Sequence, residues 1–191
     1  MNKIYLTSDL HFCHDKDFIY EPRGFKSVQA MNEGIIKNFN EVMDWTDTLY
    51  ILGDCFLYDN EEGMRLMRRL PGKKIIIWGN HDTTERKKLL NAEEQFLCLG
   101  YGEMLKYNGY HFFLSHYPTV TTNNDTDKPL KRRVINLCGH VHTQNKFNDI
   151  RNNLGLCYHV ELDAHDNKPV LIDDIIEDIK TYINEKNKFQ F

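Results

Sequence analysis

The sequence predicts an α/β domain that contains two β-sheets. In the first half of the 191-residue chain, apolar runs of strand length alternate with amphipathic helical segments, which is typical of a sheet built from strand–helix–strand units. In the second half, most of the patterned segments are strand-like and include a hairpin signal. Because one doubly wound sheet would continue the alternation, we predict a second sheet.

The first half is predicted to contain three strands and three helices. The strands are expected at residues 4–8, 49–52 and 75–78, and the helices from 27 towards 45, at 61–70, and from 83 or 84 through 90. The first helix carries apolar residues at helical spacing from Val28 to Val42, and Pro71-Gly72 ends the second. Each helix follows a strand, so a parallel or mixed sheet is predicted.

The second half is predicted to contain five strands and one helix. Asn108-Gly109 is a strong turn signal between strands at 104–107 and 110–115. A buried strand follows at 134–138, and strands at 158–162 and 170–172 flank a turn at 166–169. The last helix begins near Asp173, with acids at its start and lysines near its end, as the helix dipole prefers.

Length and charge bound the class of protein. We predict a single domain over residues 1–191, because this length buries a substantial core and no linker or internal repeat interrupts it. Lys and Arg number 24 against 28 Asp and Glu, for a formal net charge of −4. The net charge therefore does not indicate a nucleic-acid partner, although local basic clusters leave one open.

The cysteines and the N-terminus indicate a protein of the cytoplasm. Five cysteines occur without CxxC spacing, which argues against a disulfide framework and against a zinc site made of cysteines. No apolar run has the length of a signal-peptide core at the N-terminus or of a membrane span elsewhere. We therefore expect a reducing, cytoplasmic environment and no membrane partner.

Five polar clusters lie where predicted strands end. They are Asp9-Leu10-His11, Gly53-Asp54, Gly79-Asn80-His81-Asp82, Ser115-His116 and Gly139-His140-Val141-His142. A parallel or mixed sheet delivers such side chains to one edge. Carboxylates, imidazoles and a carboxamide together suit two divalent metals about 3.5–4 Å apart, which favour phosphoryl chemistry. The mixture of nitrogen and oxygen ligands favours Mn, Fe, Zn or Ni over Ca or Mg.

The order of these clusters resembles the calcineurin-like metallophosphoesterase family. The pattern D-x-H, GD, GNHD, an isolated H and GHxH extends from Asp9 to His142. The segments TSDLHFCH, MNEGIIKNFNEV and YILGD are similar to those of small bacterial and phage members of the family. The chain differs from these relatives at Cys13, where they usually have glycine, and at Cys55, where they often have an aromatic residue. Neither difference removes a predicted ligand.

The resemblance implies a fold and a binuclear metal centre. The fold would be a four-layer α/β/β/α sandwich with the metals at the carboxyl ends of the strands. The implied ligands of the first metal are Asp9, His11 and His142. Those of the second are Asn80, His116 and His140. Asp54 would bridge the two metals, together with a water or hydroxide that attacks phosphorus.

The resemblance also implies two catalytic residues. His81 would face the substrate, stabilise developing charge and protonate the leaving alkoxide, and Asp82 would orient it. Two further residues are candidates for substrate contact. His14 is expected to reach the substrate, to hydrogen-bond a ligand, or to lie on the surface at a helix start. Arg23 is expected either to clamp a phosphate or to be a solvated loop arginine.

Other polar residues are expected to have no part in the centre. Asp163 and Asp166 flank a turn without a ligand pattern, and Cys13 and Cys55 are expected to be small buried hydrophobes. The run Lys128, Lys131, Arg132 and Arg133 either contacts a polyanion or, as we favour, is a solvated flank. It ends a long segment, 117–133, that has no periodicity and is a candidate lid beside the metals.

The function expected from the sequence is metal-dependent phosphoester hydrolysis. A phosphodiester is favoured because the chain is small and lacks an obvious cap domain. The alternatives are a phosphomonoesterase or a nuclease with the same centre, or a non-catalytic scaffold of the same fold. We expect two divalent transition metals, most of all Mn, and a small phosphorylated substrate or a nucleotide. The oligomeric state stays open.

Overall fold

Two mixed β-sheets form the centre of the fold and helices flank them, as the sequence predicts. The computed structural model describes residues 2–121, 129–148 and 156–188, the last three of these by their backbone alone. Buried apolar side chains form two clusters in these ranges. One cluster lies between the first sheet and the helices on its outer face, and the other lies between the two sheets.

Four parallel strands and one antiparallel strand make the first sheet. They are β1 (Ile4–Thr7), β2 (Thr48–Leu52), β3 (Lys73–Ile77), β4 (Phe96–Cys98) and β9 (Val170–Leu171). Their order is β4-β3-β2-β1-β9, with β9 antiparallel to β1. Since β1, β2 and β3 are parallel, their carboxyl ends meet at one edge of the sheet.

The helices pack where their apolar faces predict. They are α1 (Asp17–Tyr20), α2 (Val28–Val42), α3 (Asn60–Arg69), α4 (Thr84–Asn91) and α5 (Ile172–Lys188). The Ser27 hydroxyl caps α2 by accepting from a backbone N–H at 3.1 Å, and the Asp59 carboxylate caps α3 at 2.9 Å. Helices α2, α3 and α4 contribute to the outer cluster, and α5 contributes to the cluster between the sheets. No helix in the described ranges is long and apolar enough to cross a membrane.

The second sheet begins with the predicted hairpin. Its strands are β5 (Gly102–Tyr107), β6 (Tyr110–Ser115), β7 (Val134–Cys138) and β8 (Cys157–His159), in that order. Asn108 and Gly109 both have positive φ, of 48° and 81°, as a tight two-residue hairpin requires. Strands β6, β7 and β8 are parallel, so Ser115 and Cys138 end at a common edge.

Four local features differ from the sequence-based expectations. Strand β4 and helix α1 are only three and four residues long, too short to produce a readable period. Helix α2 ends at Val42 rather than near Trp45, because Met43 has an extended backbone. The turn at 166–169 joins strands of different sheets, since a 3₁₀ helix at Leu162–Ala164 redirects the chain after β8.

Lys74 on β3 has a charged side chain in a buried position. Its side chain is fully buried, and its Nζ has no hydrogen-bond partner among the described residues. The ammonium lies 5.3 Å from the Trp45 ring centroid and 5.8 Å from that of Phe96, within cation–π range. Burial lowers the pKa of Lys74 to about 8, and the charge of Glu93 opposes that shift only in part.

We predict that Lys74→Met raises the free energy of unfolding by roughly 1–2 kcal/mol at pH 7, because Met fills a similar volume without a buried charge. Between a folded pKa of about 8 and the ordinary value of 10.5, the unfolded chain binds more protons, so wild-type stability rises with pH. The gain from Lys74→Met should shrink across that window. Urea unfolding at pH 7 and pH 10 measures both effects, and a destabilised variant at pH 7 would contradict the account.

Candidate metal centre

The five predicted polar clusters meet at one edge of the two sheets. Asp9 follows β1, Asp54 follows β2, and Asn80 follows β3 in the first sheet. In the second sheet, His116 follows β6 and His140 follows β7. Backbone hydrogen bonds join neighbouring loops, for example from the Asp9 N–H to the Gly53 carbonyl at 3.1 Å. The sheet topology therefore places the predicted ligands side by side.

Left-handed backbone conformations recur among the predicted ligands. The φ angles are 55° at Asp9, 49° at His11, 55° at Asp54, 77° at His140 and 52° at His142. Non-glycine residues rarely adopt such angles, and each instance costs on the order of 1–3 kcal/mol. Strain of this kind persists where the surrounding structure enforces it, and it clusters at functional sites. The strained backbone therefore occurs in the loops whose side chains converge on the centre.

In the first ligand group Asp9 and His11 are buried, and His142 is partly exposed. Asp9, His11 and His142 place one ligand atom each within 4.8 Å of the others. The two Nε2 atoms of His11 and His142 are 3.2 Å apart, and Asp9 Oδ1 lies 3.7 Å from each of them. Burial alone would raise the pKa of Asp9, but its interaction with the His11 ring 3.7 Å away holds it well below its usual range. Asp9 is thus an ionised carboxylate in a buried position, as its predicted role as a metal ligand requires.

The second ligand group is open to solvent. His116 Nε2 lies 2.8 Å from Asn80 Oδ1, and His140 Nδ1 lies 3.0 Å from the same oxygen. The two histidine nitrogens are 3.2 Å apart. His116 is buried, whereas Asn80 and His140 are exposed. The centre is therefore open to solvent on the side of Asn80 and His140.

Asp54 lies between the two groups. Its Oδ2 is 3.5 Å from His11 Nε2 and 3.5 Å from His116 Nε2, so one carboxylate oxygen faces both groups. Its Oδ1 accepts a hydrogen bond from the His81 backbone N–H at 2.8 Å. Burial alone would raise the pKa of Asp54, but the hydrogen bond with His11 and the charge of His116 lower it. This geometry suits a shared ligand.

Three of the four histidines that are predicted ligands use their second ring nitrogen for a contact outside the centre. His11 Nδ1 contacts His14 Nδ1 at 2.8 Å, His116 Nδ1 contacts the Leu52 carbonyl at 2.8 Å, and His142 Nδ1 contacts Asp163 Oδ2 at 3.0 Å. Burial and then the charge of His11 lower the pKa of His14 to about 4, so this ring is neutral. Such partners fix the orientation and tautomer of a ligand histidine.

The residues present fit divalent cations. The Leu52 carbonyl can only accept, so a neutral His116 ring donates through Nδ1 and keeps a lone pair on Nε2. That lone pair faces Asn80 Oδ1, another acceptor, at 2.8 Å. Asp9 Oδ1 is buried without a hydrogen-bond partner among the described residues. Converging acceptors of this kind repel one another unless a cation lies between them.

Two glycines allow the loops to approach this closely. A Cβ atom at Gly79 would overlap the Asp54 carboxylate. Gly53 has a φ of +94°, and a Cβ there would lie 2.6 Å from His116 Nδ1. Only glycine therefore fits at either position, each of which lies beside a predicted ligand.

The side chains of His81 and Asp82 do not form the pair in which Asp82 was expected to orient the His81 ring. The His81 side chain is exposed at the open side, with its ring centroid 5.6 Å from that of His11. The Asp82 carboxylate is buried and accepts from the backbone N–H groups of Gly79, Asp54 and Cys55 at 2.7, 3.0 and 3.2 Å. Asp82 therefore fixes the loop that carries Asp54, rather than orienting the His81 ring.

Arg23 is committed to protein contacts, which leaves no free face for a phosphate clamp. Its guanidinium donates to both carboxylate oxygens of Asp163, at 3.1 and 2.8 Å. It also donates to the backbone carbonyls of Asp9, at 2.8 Å, and Leu10, at 3.3 Å. Arg23 is buried, so its structural role replaces the phosphate contact that the sequence left open.

Asp163 is the residue of this centre that sequence reasoning missed. Burial alone would raise its pKa, but the hydrogen bonds from His142 and Arg23 hold it well below its usual range. Through these bonds Asp163 links the loop of His142 to the loop of Asp9. No local pattern marks the residue, because its partners lie 21 and 140 positions away.

We predict that Asp163→Asn weakens metal binding by about 10–100-fold, the usual effect of losing an outer partner of a ligand histidine. In either orientation of an asparagine amide, its NH₂ group would face a donor: Arg23 Nε in one, and Arg23 Nη2 with His142 Nδ1 in the other. Calorimetric titration of the metal-free protein with Mn²⁺ measures the change. The control is Asp166→Asn, the same substitution three residues along the chain. Equal affinities of the two variants for Mn²⁺ would show that Asp163 does not support metal binding.

The remaining sequence-based candidates lie beside or outside the described centre. Residues 122–128 of the candidate lid, with Lys128, lie outside the described residues, so the lid stays a prediction. Lys131 and Arg132 belong to a 3₁₀ helix at Leu130–Arg132, and contact with a polyanion likewise stays a prediction. Cys55 is fully buried and Cys13 is half-buried against the outer apolar cluster, and both are free thiols.

Comparison with known proteins agrees with this architecture. A family model described as calcineurin-like phosphoesterase matches residues 2–189. An uncharacterized protein of Methanocaldococcus jannaschii is 38% identical over 129 residues, which is 65% of this chain and 65% of that protein. The match thus spans less than two thirds of that relative. A solved structure of a protein of unknown function from Aquifex aeolicus is 25% identical, with a TM-score of 0.72 over 93% of this chain and 99% of the other.

Proposed function

The chain belongs to the calcineurin-like phosphoesterase family, and from this premise we propose that it is a metal-dependent phosphodiesterase with a binuclear centre. The observation that carries the proposal is the pair of ligand groups that share Asp54. One carboxylate oxygen lies 3.5 Å from a histidine nitrogen of each group, which is the arrangement expected of a bridging ligand. The family membership supports the coarser statement, metal-dependent hydrolysis of a phosphate ester.

Seven residues would hold the metals. The first would bind Asp9, His11 and His142, the second would bind Asn80, His116 and His140, and Asp54 would bind both. When bound, two divalent cations neutralise phosphate oxygens and make hydroxide available near neutral pH. The mixed nitrogen and oxygen donors favour Mn, with Fe, Ni and Zn as alternatives, over Ca and Mg.

His81 would act on the substrate rather than on the metals. Its backbone N–H donates to Asp54 Oδ1 at 2.8 Å, so the backbone of His81 is anchored beside the proposed bridging carboxylate while the side chain stays exposed. An imidazole in this position can stabilise charge on the phosphate and donate a proton to the leaving alkoxide. His14 would support this edge of the centre through its contact with His11.

A monoanionic diester suits the charge of the site better than a dianionic monoester. The Arg23 guanidinium is neutralised by Asp163 and buried, so it supplies no further positive charge to a phosphate. Beyond the cations, the open side presents Asn80, His81 and His140, none of which carries a permanent positive charge like that of arginine. We also propose that residues 1–191 act as one domain and that the protein works in the cytoplasm, where its free thiols persist.

The test is hydrolysis by the metal-stripped protein with Mn²⁺, Ni²⁺, Zn²⁺ or Mg²⁺ restored singly. Bis-p-nitrophenyl phosphate represents a diester and p-nitrophenyl phosphate a monoester with the same leaving group. We expect metal-dependent turnover with preference for the diester and for Mn²⁺. Preference for the monoester would replace the phosphodiesterase proposal with a phosphomonoesterase. Stoichiometric metal binding without turnover of either ester would favour a non-catalytic scaffold.

A further inference from the structure

Exposed aromatic rings flank the candidate metal centre on two sides. On the side of the first ligand group, Tyr58 and Phe18 are 58% and 66% exposed. Their ring centroids lie 5.4 and 5.8 Å from that of His14, which contacts the ligand His11. On the side of the second group, Tyr117 is 48% exposed. The rings are therefore continuous with the site and still open to a ligand.

Tyr117 contacts two ligands of the second group directly. Its ring centroid lies 4.6 Å from that of His140 and 5.1 Å from that of His116. Both contacts are edge-on, with interplanar angles of 65° and 72°. Because His140 is exposed beside it, the ring borders the open side through which a substrate reaches the metals.

Tyr58 is held exposed by a strained backbone. Its φ is 59°, a conformation in which a bulky residue is an outlier and which Asn or Gly would adopt more easily. The residue directly precedes the N-cap of α3, so the turn itself requires no aromatic side chain. The residue is 58% exposed, so burial does not offset the strain. Strain of this kind is typical of residues that contact ligands.

We propose that these rings form an aromatic subsite for the organic part of the substrate, and that the substrate is a phosphodiester of a nucleoside. This inference rests on the proposed function, because the metals would hold the phosphate while a tyrosine stacks on the base. Tyrosine faces stack with any nucleobase, so the subsite selects a planar ring rather than one base. The mildly acidic chain, with a net charge of −4, suits a small nucleotide better than a long polyanion.

The test compares two diesters that release the same leaving group. One is the p-nitrophenyl ester of thymidine 5′-monophosphate, and the other is methyl p-nitrophenyl phosphate, in which methyl replaces the nucleoside. Stacking by one base predicts that the nucleoside ester has a kcat/KM roughly 5- to 100-fold higher. The ratio of the two kcat/KM values isolates recognition of the nucleoside, because any disturbance of the metals affects both esters.

Leucine variants remove the aromatic face and keep apolar bulk. We expect Tyr58→Leu and Tyr117→Leu each to lower the ratio, and the double variant to bring it close to one. The matched control is Trp45→Leu, because Trp45 is 63% exposed but precedes β2, at the opposite end of the strands from the metals. It should keep the wild-type ratio. A wild-type ratio near one, or a double variant with the wild-type ratio, would overturn the aromatic subsite.

A binding measurement separates failure of the subsite from failure of the proposed function. If neither ester turns over with any metal, the phosphodiesterase proposal fails. The Mn²⁺-loaded protein is then titrated with thymidine 5′-monophosphate and with methyl phosphate. Tighter binding of the nucleotide that is lost in the double variant supports the subsite. Equal affinities for the two ligands overturn it.

Discussion

Asp54→Asn should abolish turnover and lower metal content while the fold persists. The asparagine has the same shape, and its Oδ1 can still accept the His81 N–H that Asp54 Oδ1 accepts at 2.8 Å. Its amide, however, would replace the carboxylate oxygen that lies 3.5 Å from both His11 Nε2 and His116 Nε2. Losing several kcal/mol of charge stabilisation corresponds to roughly 10³–10⁴-fold in kcat/KM.

Metal content by elemental analysis, thermal unfolding and diester hydrolysis together measure the effect of Asp54→Asn. The matched control is Asp59→Asn, which changes an aspartate five residues along the chain that caps α3. Asparagine caps a helix as well as aspartate does, so this variant should keep wild-type metal content and turnover. An Asp54→Asn protein with both metals and normal activity would contradict the bridging role.

His81→Ala should keep the metals and slow hydrolysis by about 10²–10⁴-fold, the usual range for a positioned acid–base group. The His81 ring is exposed beside the centre, whereas its backbone N–H, which alanine retains, makes the bond to Asp54 Oδ1. The ligand groups should therefore stay in place. The loss should fall on kcat rather than on metal affinity.

The comparison that tests this role uses esters with different leaving groups. Proton donation matters most for an alkoxide and least for p-nitrophenolate, so the His81→Ala defect should be larger for a diester with an alkyl leaving group. His111→Ala is the control, because His111 lies on β6 away from its carboxyl end. Loss of bound metal in His81→Ala, or an equal defect with both leaving groups, would contradict the role of His81 as the proton donor.

The sequence predicts the residues that follow the ends of strands. It does not predict contacts between loops that are distant in the sequence. Asp9, Asp54, Asn80, His116 and His140 each follow an apolar run that becomes a strand. Parallel pairing then brings their side chains to one edge without any further information. The two-sheet fold is predictable for the same reason, since periodicity and the Asn108-Gly109 turn are local signals.

The roles of Asp82, Arg23 and Asp163 depend on tertiary contacts that leave no local pattern. Asp82 lies beside His81 in the sequence, but its carboxylate turns to backbone amides 27 and 28 positions away. Arg23 meets Asp163 across 140 positions. The role of a buried charged residue depends on the group that it pairs with. No rule of sequence spacing identifies such a group when it lies 140 positions away.

The most direct test of the binuclear centre is anomalous X-ray diffraction from crystals of the protein soaked in Mn²⁺. The account predicts two anomalous peaks about 3.5–4 Å apart, one on each side of the Asp54 carboxylate. The first should be bound by Asp9, His11 and His142, and the second by Asn80, His116 and His140. A single peak at saturating Mn²⁺, or two peaks that do not share Asp54, would contradict it.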